Sequence, residues 1–291
     1  MLAILALVSS QTSLEVKASA TVKHPALAEI SGMVQSRPDK DLFWVHNDSG
    51  DSARIFAIRR DGSVISPSGP SYGGIAISGA KNVDWEDIAL AGGKLYVSDL
   101  GSNGNARRDL GVYIVKEPNP ATDVSAKATH IPVVYPDQDA FPPAKRHFDC
   151  EAVFVWNGKF HLLTKHRSPD GRFPEPGTKL YRLDTMMPGK ANVAKKLEEV
   201  ADMKGWVTAA DTSPDGRWLA VLTQFPKASV WIFDTKGVGD KLLSKPTRWL
   251  ELLGAKQCES ICFDGPDRLM VGNEQRDLFG IKLADIPRFS R

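Results

Sequence analysis

One signal returns five times along this chain: an acidic residue, then small and apolar residues, then a turn and a second apolar run. The copies are Glu29-Ile-Ser-Gly-Met, Glu86-Asp-Ile-Ala-Leu, Glu151-Ala-Val-Phe-Val, Asp211-Thr-Ser-Pro-Asp and Glu259-Ser-Ile-Cys-Phe, at intervals of 57, 65, 60 and 48 residues. A loose period near 50 residues is the mark of a propeller, in which each repeat is one small sheet. Short β-type runs between turn residues fill each interval, as in Leu42-Phe-Trp-Val-His, Arg54-Ile-Phe-Ala-Ile-Arg and Trp218-Leu-Ala-Val-Leu-Thr. Asn157-Gly158 reads as a hairpin turn. The stretch 191–203 carries apolar residues at helical spacing, but the repeat requires a strand through Leu197-Glu-Glu-Val-Ala.

The expected fold is therefore all-β: a single propeller over residues 21–291 with five four-stranded blades, six being the alternative. The last unit is one strand short, so Thr21 to Ala28 is expected to close the ring by pairing with it and hiding its edge. Residues 1–20 read as a signal peptide, from the apolar run Leu2–Val8 to Ala18-Ser-Ala20, although no basic residue precedes that run. Export to the periplasm or beyond follows as an expectation. The run is too short to span a bilayer. Three cysteines, Cys150, Cys258 and Cys262, do not make a disulfide framework and read as small buried apolar residues.

A formal charge of +2 without a long basic run gives no footprint for nucleic acid. The chain carries no HExxH or P-loop. Its candidate chemistry comes from the repeat. The first strand of each blade lines the axis, so Glu29, Glu86, Glu151, Asp211 and Glu259 are expected to form a ring of carboxylates. Their repulsion is relieved by protonation, a basic neighbour or a cation. All-oxygen surroundings favour calcium. The bland reading is a wet channel whose acids accept backbone N–H bonds.

A second tier, Asn47, Asp48, Asp99, Lys165, Gln224, Asn273 and Glu274, is expected at the mouth of that channel, where a small molecule or protein would bind a monomeric propeller. Lys165 can neutralise the ring by pairing with Glu151. The polar loop Asp99–Asp109 is expected on one face of the disc. Asn47-Asp-Ser-Gly-Asp51 lacks the distal glutamate of a calcium loop and reads as a turn. The tryptophans read as packing between blades, with Trp85, beside Glu86, the exception to test.

The set Glu29-Ile-Ser-Gly-Met, His46-Asn-Asp-Ser-Gly-Asp, Asp84-Trp-Glu-Asp-Ile-Ala, Glu117-Pro, Asp149-Cys-Glu-Ala, Thr208-Ala-Ala-Asp-Thr-Ser-Pro-Asp-Gly and Gln257-Cys-Glu-Ser resembles bacterial exported β-propeller proteins. It is distantly similar to the SdiA-regulated propellers and more weakly to the esterase-like phytase group. The resemblance covers nearly all of residues 21–291 and implies a five-bladed ring with an axial metal. It names no substrate. Where those relatives are expected to read Asp-Ile-Gly-Asp-Asn, this chain has Asp99-Leu-Gly-Ser-Asn103 and lacks one carboxylate.

Three functions are compatible with these residues. The first is an exported scaffold holding calcium on its axis. The second is a metal-dependent hydrolase of a small ester, lactone or phosphoester, with Glu86, Asp99 or Lys165 as catalytic groups. The third is a protein-interaction platform without chemistry.

Overall fold

The computed structural model describes residues 12–67, 69 and 72–289. Much of the expected signal peptide, residues 1–11, lies outside them. Two short N-terminal strands, β1 (Ser13–Glu15) and β2 (Ala20–Thr21), precede a series of antiparallel sheets. The first comprises β3 (Ile30–Gln35), β4 (Leu42–Asn47), β5 (Arg54–Arg59) and β6 (Ile75–Ser78). The second comprises β7 (Ile88–Ala91), β8 (Lys94–Asp99), β9 (Gly111–Lys116) and β10 (Ser125–Val134), and a parallel pairing of β10 with β6 makes the first two continuous. The third holds β11 (Arg146–Trp156), β12 (Lys159–Arg167), a short β13 (Pro174–Glu175), β14 (Thr178–Leu183), β15 (Asn192–Val193), which leaves to pair with β10, and β16 (Lys195–Val200). The fourth is β17 (Trp206–Thr212), β18 (Trp218–Gln224), β19 (Ala228–Asp234) and β20 (Pro246–Leu253), and the last is β21 (Cys258–Phe263), β22 (Arg268–Asn273) and β23 (Asp277–Lys282). The ambiguous stretch near residue 197 is thus strand β16.

The architecture is an all-β propeller. Strands β3, β7, β11, β17 and β21 touch in cyclic order, with β21 returning to β3. The turns are built as their residues require: Asn157 and Gly158 both have positive φ, 47° and 69°, the geometry of a tight hairpin. Apolar cores lie between neighbouring sheets, for instance Ala89, Val112, Val153 and Leu162 between the second and third. The axis is left polar. Indole N–H groups tie neighbours together: Trp44 donates to Glu117 Oε1 at 2.9 Å and Trp156 to the Gly216 carbonyl at 3.0 Å. Trp85 is a packing residue rather than part of the site: it is fully buried, donates locally to the Lys81 carbonyl, and sets its ring 5.5 Å from that of His46 in the first sheet.

The N-terminal segment does meet the last sheet, but earlier than Thr21–Ala28. Ala20 pairs with Leu278 and Thr21 with Asp277, and the Val22 N–H donates to Arg276 O, after which the chain turns away. Strand β1 lies parallel to β20 as the outer strand of the fourth sheet. The three cysteines are free and buried. Among the described residues, no helix is long and apolar enough to cross a membrane.

Candidate functional site

An innermost strand is hydrogen-bonded along one edge only, so its other edge must find partners elsewhere. Two buried carboxylates supply them. Asp87 accepts from the N–H groups of Ile88, Val153 and Ala210, joining β11 and β17. Asp211 accepts from Thr212 and, at 2.8 Å, from Phe263 on β21. The expected ring member Asp211 is therefore a buried stitch between strands, outside the lining of the axial cavity.

Each inner strand also carries an irregularity at its axial end. The pairing of β3 with β4 skips Ser31, that of β11 with β12 skips Glu151, that of β17 with β18 skips Thr208, and that of β21 with β22 skips Glu259. Next to β7 the Glu86 N–H donates to Ser98 O while Ser98 N–H donates to Asp87 O, so two residues again face one. A bulge re-aims the extra side chain. The position shared by the five strands is thus Ser31, Glu86, Glu151, Thr208 and Glu259. Glu29 stands two residues before it, is solvent-exposed, and stays outside the cavity lining. Small residues follow the bulge in four strands, and Gly32 shows why: a Cβ there would come 2.3 Å from His46 Nε2.

Four of these five positions line a cavity of about 320 Å³ together with Asp48, Lys165, Arg167, Asn103, Trp206, Gln224, Phe225, Gln257 and Glu274. Of the expected mouth residues, Asp48, Lys165, Gln224 and Glu274 face it. Asn47 and Asn273 do not. Asn47 donates to Ala26 O and Asp51 Oδ2, and Asn273 correspondingly to Ala255 O and Asp277 Oδ2. Asp99 is their counterpart in the second sheet: it accepts the Asp84 N–H at 2.9 Å and pairs with Arg107 at 3.0 Å. It is buried and committed, which removes it as a catalytic base. The loop that follows is not wholly solvated. Ser102 and Asn105 are buried, the Ser102 N–H donates to Asp149 Oδ1 at 2.6 Å, and Phe148 N–H donates to Asn105 Oδ1.

The carboxylates gather in two sets that share Glu86. Oxygens of Asp48, Asp84 and Glu86 lie within 4.8 Å of one another, as do those of Glu86, Asp149 and Glu151. At that spacing two carboxylates repel by about 3–4 kcal/mol in an effective dielectric of about 20, enough to shift a pKa by more than two units. Burial, then the Glu151 charge, raises Glu86 well above the carboxylate range. Burial with the neighbouring Asp149 and Asp48 charges lifts Asp84 to about 6, and burial lifts Glu259 to about 7. Lys165 opposes them. Its ammonium lies 2.5 Å from Glu151 Oε1, and although burial disfavours its charge, Glu151, Asp149, Glu259 and Glu86 outweigh that and hold it protonated. A lysine so held is neither base nor nucleophile.

Sequence reasoning missed Asp84 and Asp149, which precede the bulge glutamates by two residues, and the wall formed by Trp206, Arg167 and Phe225. Arg167 stacks 4.5 Å from the Trp206 ring, and Phe225 is 52% exposed at the cavity rim. The Asp-x-Glu spacing shared by Asp84-Trp-Glu86 and Asp149-Cys-Glu151 was the available signal.

No protein-family model matches the chain, and no curated protein matches it. Among solved structures, it is similar to a chain of the nidogen/laminin complex (11% identity, 90% of this chain and 80% of that one, TM-score 0.43). It is similar also to a gluconolactonase of Xanthomonas campestris (14%, 94% and 88%, 0.42) and to the Cps50 (Swd1) β-propeller domain of Myceliophteria thermophila (10%, 87% and 82%, 0.40).

Proposed function

We propose that this protein is a five-bladed propeller, closed by Thr21 and Val22 on the last blade, whose axial cavity binds one divalent cation, calcium, as a binding scaffold. The observation that carries the reading is the convergence of Asp48, Asp84 and Glu86 within 4.8 Å, a set that excludes Glu151, the ion-pair partner of Lys165. Calcium takes oxygen ligands at about 2.3–2.6 Å, so the oxygens around one ion are separated by at most about 5 Å. The donor set is all oxygen, and burial, reinforced by neighbouring carboxylate charges, raises the pKa of both Glu86 and Asp84. The expected five-acid ring becomes this smaller set, with Glu259 and Glu274 as outlying charges.

Asp48 and Asp84 are half-buried, and Asp48 and Glu86 line the cavity. A ligand would approach there, beside Gln224, Arg167 and Trp206. The hydrolase alternative uses the same cavity, but of its three candidate groups only Glu86 is both in the cavity and free of a committed ionic partner. Binding is therefore the preferred role. Export, and kinship with the SdiA-regulated propellers or the esterase-like phytase group, remain part of the proposal.

The test is a pair of melting curves, in calcium and in chelator, for wild type and for Glu86→Gln with Glu151→Gln. Wild type should melt higher in calcium and the double variant should lose that dependence. Identical wild-type curves in calcium and chelator would reject the site.

A further inference from the structure

The second carboxylate set has an occupant of its own. Glu86, Asp149 and Glu151 are all buried, with oxygens within 4.8 Å, and the Lys165 ammonium stands 2.5 Å from Glu151 Oε1. Among the described residues that is the ammonium's one polar contact, although –NH₃⁺ carries three donors. Asp149 is fully buried. Its Oδ1 accepts from Ser102, while Oδ2 accepts no hydrogen bond and faces Arg167 Nε at 3.6 Å. A compact charge, sparsely hydrogen-bonded and set among carboxylates, sits as a metal ion would.

We propose that Lys165 is a tethered cation filling the inner of two adjacent cation sites, so that the native cavity takes one divalent ion where its carboxylates could hold two. Glu86 belongs to both sets, so the sites are neighbours. The lysine permanently offsets one carboxylate charge of the inner set and occupies its space, so the outer set alone takes an ion from solution. This rests on the cation reading above for the outer site, but not for the inner one.

The experiment counts bound calcium by equilibrium dialysis for wild type, Lys165→Met, Lys165→Arg and Lys165→Met with Asp149→Asn. The expected stoichiometries are one, two, one and one. Terbium, read by luminescence excited through tryptophan, gives a second signal. Trp206 has its ring 5.2 Å from Lys165 Nζ, so an ion replacing the ammonium should luminesce strongly in Lys165→Met and lose most of that signal when Trp206→Phe is added. If Lys165→Met folds only when calcium is added, the metal has replaced the ammonium and the proposal stands. If it stays unfolded at saturating calcium, or is folded and binds no more ions than wild type, the proposal is overturned. One ion in wild type and one in Lys165→Met sinks this inference alone; none in wild type and one in Lys165→Met sinks the outer site and keeps the inner.

Discussion

Glu259 offers a test of what burial at the axis costs a carboxylate. It is half-buried, accepts from Gln257 at 3.1 Å, and belongs to neither cation set. Burial raises its pKa from 4.5 to about 7. Below pH 4.5 the carboxyl is protonated in both folded and unfolded chains and costs nothing. Between 4.5 and 7 the unfolded chain releases its proton while the folded one keeps it, so stability falls as pH rises. Above 7 the penalty is complete. The interval is worth about 3.4 kcal/mol at 1.36 kcal/mol per unit, and partial exposure reduces that to about 2 kcal/mol. Glu259→Gln keeps an acceptor for Gln257 and removes the ionisation. In chelator, urea unfolding should show the variant more stable than wild type by about 2 kcal/mol at pH 8 and equal to it near pH 4.5. A difference independent of pH, or a loss of stability at pH 8, would refute the reasoning.

Three further outcomes are expected. Gly101→Ala places a Cβ 2.2 Å from Glu86 Oε1 and 2.7 Å from Asp84 Cγ, so it should weaken calcium binding at least about tenfold while moving the chelator melting point little, because the carboxylate ends can swing aside; calorimetry and melting together would show otherwise. Asp87→Ala strips three backbone N–H groups of their acceptor and should cost at least about 4 kcal/mol; a loss under about 1 kcal/mol in denaturant titration would deny the stitching role. If the chain is exported, the intact mass of the secreted form should correspond to cleavage after Ala20, removing β1 and the Ala20 half of β2 while keeping Thr21 on the last sheet; a mass that retains Ser13–Glu15 would instead assign those residues to the folded domain.

The strands and the hairpins were readable because turn residues and alternation are local signals, as Asn157-Gly158 shows, whereas the strand at Leu197, whose local spacing is helical, was readable only from the repeat. Which acid in each repeat reaches the axis was not. One extra residue in a strand changes the face that every neighbour takes, and period-two reasoning cannot see it. Glu29 and Asp211 are displaced for that reason, by two residues before and three after the bulge positions Ser31 and Thr208. The pairs Ser31-Gly32, Glu151-Ala152, Thr208-Ala209 and Glu259-Ser260 would have aligned the repeats correctly. In the second tier the same difficulty made Asp99 look available. It aligns with Asn47 and Asn273, whose side chains close turns, whereas Asp48 and Glu274, one residue later, face the cavity.

The most direct measurement is a calorimetric titration of calcium into chelator-treated protein at pH 7.5. A single binding event, absent in Glu86→Gln, is what carboxylates gathered at the axial bulges predict. No heat from the folded wild-type protein, or an unchanged isotherm in Glu86→Gln, would contradict it.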